Sequence, residues 1–195
     1  MKQKAIVTSV LVLAVAIGLA GCGVITIEEA ARTPVETHDS PFGPMATHST
    51  GTGFSVDYPA EWEVAAEKDQ RCGRAEFCWG SPEGAILIIQ EGEIGGPGLD
   101  GIALPEYLDM VVTDFDRSTS GFEFNGREAF ESAAGVEGQL LSYTSDGGAV
   151  VTRELWAVNE DNEAVTVSVM AWSDDFEAIE PVARYLFDSV RRTGG

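Results

Sequence analysis

Positive charge is scarce in this chain: 12 lysines and arginines stand against 32 aspartates and glutamates in 195 residues, a net charge of −20. Nucleic-acid binding needs clustered lysine and arginine to neutralise phosphates, so the sign of the long-range field excludes that class of partner. Cysteine is scarce as well, with three in all, too few for a scaffold built on disulfides. Histidine occurs only at His38 and His48, ahead of the regularly patterned region. A domain that begins after them cannot hold a Ser-His-Asp or Cys-His arrangement. The 22 glycines and 8 prolines follow no period, which excludes collagen-like and low-complexity chains. What remains, 44% hydrophobic and 23% charged, suffices for one compact domain.

The N-terminus reads as an address. Lys2 and Lys4 precede an uncharged sixteen-residue run from Ala5 to Ala20, which is short for a membrane span and right for the apolar part of a signal peptide. The run ends in Leu19-Ala20-Gly21-Cys22, which resembles the lipobox of prokaryotic lipoproteins. The resemblance implies cleavage after residue 21 and a thioether diacylglycerol on Cys22, with two or more acyl chains giving a stable anchor. The mature chain would keep Lys68 as its sole lysine. Anionic headgroups would repel so acidic a protein, so attachment must come from the acyl chains rather than a basic patch. The acidity itself fits a surface adapted to high salt or a high-GC genome that avoids lysine.

Residues 22–50 carry Thr33-Pro34, Ser40-Pro41 and Gly43-Pro44 without sustained periodicity and are expected to form a flexible lipidated tether. Both histidines fall here and are expected to be solvated spacers. Residues 51–195 then form the globular domain. Phe54, Val56 and Tyr58 alternate with polar residues up to Pro59, a short strand. Trp62 to Ala66 is a second, and the apolar run Ala85 to Ile89 a strand covered on both faces. Gly92 to Gly101, with five glycines, is expected to be a loop. Pro105 suits the first turn of a helix whose buried face carries Tyr107, Leu108, Val111, Val112 and Phe115. Val136–Tyr143, Ala149–Val158 and Ala164–Ala171, separated by turn residues, predict an antiparallel meander. The last helix lines up Phe176, Ile179, Val182, Leu186, Phe187 and Val190, with Asp174 and Glu177 at capping-box spacing and Pro181 inside or between segments. The pattern is α+β.

The run Gly53-Phe-Ser-Val-Asp-Tyr-Pro59, Trp62, Gly126 before a strand, the meander and the closing Leu186-Phe187-Asp188-Ser189-Val190 together resemble the PsbP-like superfamily, which includes DcrB-like and LpqN-like bacterial lipoproteins. The resemblance implies a central antiparallel β-sheet flanked by helices, an α/β/α sandwich. It also implies an accessory or binding role in membrane-associated complexes, with no catalytic set to carry over. No motif here matches metal or photosystem binding, so the namesake's photosynthetic role is not implied.

Cys72 and Cys78 are five intervening residues apart, and outside the cytoplasm a disulfide is the favoured reading. Closing so small a loop would contribute on the order of 2 kcal/mol. A zinc site or a redox pair are the rivals, but zinc would need further ligands nearby and redox pairs usually keep two intervening residues. With the pair bridged, no thiol nucleophile remains, and Ser-Lys chemistry would rest on Lys68 in a polar stretch. Asp114, Asp116, Ser118 and Ser120 alternate like the start of a calcium loop, yet Thr119 and Asn125 stand where an EF-hand needs Gly and Glu; the bland reading is a solvated helix end. Trp62, Trp79, Trp156 and Trp172 fit core packing better than a carbohydrate platform, with Trp79 the one to test for exposure.

The sequence therefore points to a lipid-anchored, extracytoplasmic, non-catalytic module acting through protein contacts, with membrane lipid and an envelope or membrane protein as partners and no cofactor. The alternatives are a small-ligand or cation-binding lipoprotein using a cleft between sheet and helices, or a hydrolase built on paired carboxylates.

Overall fold

Strand-forming segments dominate the computed structural model, which describes residues 37–64, 77–94 and 101–193. A four-stranded antiparallel sheet holds β1 (Thr37–Ser40), β2 (Gly43–Ser49), β3 (Phe54–Pro59) and β11 (Arg191–Arg192), in that order. A second sheet has seven strands: β4 (Glu63–Val64), β5 (Phe77–Gly80), β6 (Ile86–Glu93), β7 (Glu123–Glu131), β8 (Glu137–Ser145), β9 (Val150–Val158) and β10 (Glu163–Trp172). Its spatial order is β4-β5-β6-β10-β9-β8-β7. Two helices, α1 (Leu104–Ser118) and α2 (Phe176–Asp188), complete the architecture.

Alternation along β10 sets the two layers. Val165, Val167, Val169 and Ala171 face a core that also takes Leu87 and Ile89 from β6, Leu155 and Ala157 from β9, Met45, Phe54 and Val56 from the small sheet, and Phe176, Ile179, Ala183, Leu186 and Phe187 from α2. Thr166 and Ser168 point the other way and are buried too. Helix α1 covers part of that second face, with Leu108 fully buried and Tyr107 edge-on to Trp156. One face is thus shared by α2 and the small sheet, the other carries α1, and the flanking by helices is partial.

Residues 37–49, expected to be part of a flexible tether running to residue 50, are not flexible tether. The 37–49 segment forms two paired strands, β1 and β2, and Met45 is fully buried in the core. His38 and His48 therefore belong to the domain: His38 approaches Asp57, and His48 packs against Phe77 and Trp79. Gly92 and Glu93, at the start of the expected Gly92–Gly101 loop, instead extend β6, and Ile94 is buried; residues 95–100 lie outside the described residues. Glu91 on that extension accepts hydrogen bonds from the Gly51 and Thr52 N–H groups at 2.6 and 3.1 Å, tying the β2–β3 turn to the large sheet.

The meander appears as expected in β8, β9 and β10. Asp146, Gly147 and Asn162 supply the positive φ that their turns demand. Pro181 lies inside one continuous helix, and Asp175 rather than Asp174 occupies its N-cap, without a side-chain cap bond. The capping box is not formed. On α1 only Leu108 of the expected face is fully buried, the other four being half-buried over the sheet edge.

Candidate functional site

Residues 1–36, 65–76, 95–100, 194 and 195 lie outside the described residues, and with them Cys22, Cys72 and Lys68. Cys78 sits buried on β5, with Ile86 and Ile88. Asp114, Asp116 and Ser118 stand on α1, where the Ser118 hydroxyl donates to the Asp114 carbonyl at 2.7 Å, and Ser120 follows in the next turn. A helix cannot wrap a cation as a calcium loop does, and among the described residues no three His, Cys, Asp or Glu side chains gather into a metal site. Trp79 and Trp62 are buried in the core; Trp172, at 48% exposure, is the open one.

Two buried carboxylates stand out, in different sheets. Asp57 on β3 takes a hydrogen bond from Thr47 Oγ1 at 2.7 Å and from Arg191 at 2.9 Å, with His38 Nε2 at 3.3 Å. Burial alone would raise its pKa, but the Arg191 and Thr47 hydrogen bonds and the Arg191 and His38 charges hold it below the usual carboxylate value. Glu154 on β9 lies beneath α1 and accepts from Ser168 Oγ at 2.7 Å, Tyr143 Oη at 3.0 Å and Trp156 Nε1. Desolvation pushes its pKa up despite these three donors, and the same burial beside Glu154 pushes the Tyr143 phenol well up. The two carboxylates share no hydrogen-bond partner, and each is taken up by structural groups. Glycosidase-type work needs two carboxyls facing one cleft about 5 to 9.5 Å apart; Asp57 and Glu154 do not supply it.

An open groove of about 460 Å³ lies where α2 stops short of the β7–β8 edge. The cross-strand pairs Gly126–Ser142, Ser142–Arg153 and Glu128–Leu140 form its floor and one rim. Glu180, Ala183, Arg184 and Phe187 of α2 form the other wall. A β-bulge at Phe124–Gly126 widens the edge, and nothing occupies the space where a Cβ on Gly126 would project. Arg153 leans over the Phe176 ring at 5.9 Å and reaches Glu180 at only 3.7 Å. Sequence reasoning missed this groove. Its one signal is the spacing of Glu180 and Arg184, four apart on a helix whose other face is apolar, ordinarily a self-satisfied pair. Here Glu180 turns to Arg153 on the neighbouring strand instead.

Comparison with protein-family models and with curated proteins gives no match. Solved structures do match. Cyanobacterial PsbP (CyanoP) from Synechocystis sp. PCC 6803 superposes with a TM-score of 0.54 at 14% identity, over 76% of this chain and 92% of that one. LpqN of Mycobacterium tuberculosis, described as involved in cell envelope biogenesis, gives 0.52 at 14% identity, over 83% of this chain and 93% of its own. The fold is α+β and PsbP-like, as the sequence resemblance implied.

Proposed function

We propose that this chain is a lipid-anchored extracytoplasmic module that binds other proteins at the membrane surface and performs no catalysis. The observation that carries the non-catalytic part is the disposition of its buried acids: Asp57 and Glu154 are spent on holding strands together, in separate networks. His38 and His48 do enter the domain, but one faces Asp57 and the other lies between aromatic rings. The Leu19-Ala20-Gly21-Cys22 sequence supports the anchor, and among the described residues no helix is long and apolar enough to cross a membrane. LpqN's involvement in cell envelope biogenesis is consistent with an envelope partner for this chain.

Two measurements test the reading. Replacing Cys22 with Ser should move the protein from the membrane fraction to the soluble one; unchanged partitioning sinks the anchor. Cross-linking a C-terminally tagged chain in cells at native level should recover one envelope or membrane protein in near-stoichiometric yield. Recovery of no partner at any linker length would overturn the protein-contact reading.

A further inference from the structure

We propose that the groove between α2 and the β7–β8 edge is a binding site for a small organic monocarboxylate, held by Arg153 and Arg184. This inference goes beyond protein contacts and does not depend on the anchor. Its first support is the distribution of cations. The described residues contain six arginines, at 117, 127, 153, 184, 191 and 192. Arg191 is committed to Asp57, Arg127 donates to the Pro105 carbonyl and to Asp109, and Arg192 reaches Glu160. Two of those left, Arg153 and Arg184, line the same groove. Among the described residues the Arg184 side chain makes no hydrogen bond and no ion pair. Arg153 approaches Glu180 at 3.7 Å, too far for a hydrogen bond. Both arginines therefore border one groove with guanidinium donors not taken up by a hydrogen bond, and a guanidinium binds a carboxylate by paired N–H···O bonds.

The rest of the lining selects the size and charge of the guest. A groove of about 460 Å³ is in the range of small-molecule sites. Leu140, Ala183 and Phe187 lie beneath its floor as part of the core, and the small Ser142 and Gly126 leave room above. Glu128 and Glu180 line it as well. The third lining arginine, Arg127, is committed to Asp109, so those two acids balance the two arginines left, and a second negative charge on the guest would meet a carboxylate instead of a guanidinium. That charge balance suits a guest with a single carboxylate and disfavours a polyphosphate. Displacing the Arg153–Glu180 contact costs little, since exposed ion pairs are worth about 0–1 kcal/mol. In a chain of net charge −20 the long-range field disfavours anions, so binding rests on the short-range guanidinium contacts.

The test uses N-acetylphenylalanine as the probe, followed by amide chemical shifts of the isotope-labelled protein. Binding should be saturable at millimolar concentration or below, with shifts centred on Ser142, Arg153, Ala183 and Arg184. N-acetylphenylalanine amide, the same body without the charge, should bind at least tenfold more weakly, and Arg184→Gln should weaken the acid by a similar factor. Arg184 is exposed and makes no internal bond, so that variant folds normally; Arg153→Gln should add to the loss. No saturable shift, equal binding of acid and amide, or an Arg184→Gln affinity equal to the parent's would each overturn the site. Tighter binding of inorganic pyrophosphate than of the monocarboxylate would overturn the assignment of the guest.

Discussion

Asp57 shows how a single side chain closes a sheet that the local sequence scarcely specifies. Its carboxylate joins Thr47 on β2 to Arg191 on β11 and faces His38 on β1, while its backbone N–H donates to Ser189 Oγ just past α2. Four strands and one helix end meet there. Because its folded pKa is depressed, the ionised form stabilises the fold fully above the unfolded value of 3.8, and that contribution is lost as pH falls through the lower folded value. Asp57→Asn should lower stability at pH 7 by about 2 kcal/mol, the size of hydrogen bonds to a charged group. Urea unfolding at pH 7 and at acid pH should show the gap between parent and variant narrowing only below 3.8. A gap independent of pH would mean that shape, not charge, is what Asp57 supplies. None of this was legible in the sequence. Buried Met45 and Ala46 are adjacent rather than alternating, and Ser40-Pro41 and Gly43-Pro44 flank the β1–β2 turn, so the segment reads as linker when it is a strand pair closed by a distant arginine.

At the scale of elements, the meander was legible because hydrophobic alternation and turn chemistry agree in β8, β9 and β10. Strand β7 was marked only by the resemblance, as a strand following Gly126, and not by its own pattern, because it is an edge: three glutamates, an arginine and a glycine bulge leave few apolar positions, which is how edges avoid pairing with other chains. Helix α1 was legible in position and not in burial, since it rides over that same edge. What it covers is Glu154, an acid on an interior strand, held by Ser168, Tyr143 and Trp156. The sign here is opposite to that of Asp57. A folded pKa raised above 4.5 means the contribution is present below that value and lost as pH rises through the folded one. Glu154→Gln keeps the shape and removes the titration, so it should be more stable than the parent at pH 8. Thermal unfolding across pH should bring the two together as pH approaches 4.5. A variant less stable than the parent at every pH would show that the three donors hold an ionised carboxylate.

Across the whole molecule, charge and architecture pull against each other. A net charge of −20 is carried on a fold whose exposed ion pairs, Arg127–Asp109, Arg153–Glu180 and Arg192–Glu160, contribute only about 0–1 kcal/mol each. Self-repulsion is larger in the compact state than in the extended one, because the same charges sit closer together. Added salt shortens the screening length from about 30 Å at 0.01 M to about 3 Å at 1 M. It weakens repulsion across the surface, while the half-buried Arg191–Asp57 pair is screened less. The melting temperature should therefore rise with sodium chloride, most steeply in the first few tenths molar where screening changes fastest. Asp57→Asn should show nearly the same rise, since the gain comes from many distant acids and not from this pair. A melting temperature that falls with salt would mean that ion pairs outweigh repulsion. In that case the acidic surface would hold the fold together instead of straining it.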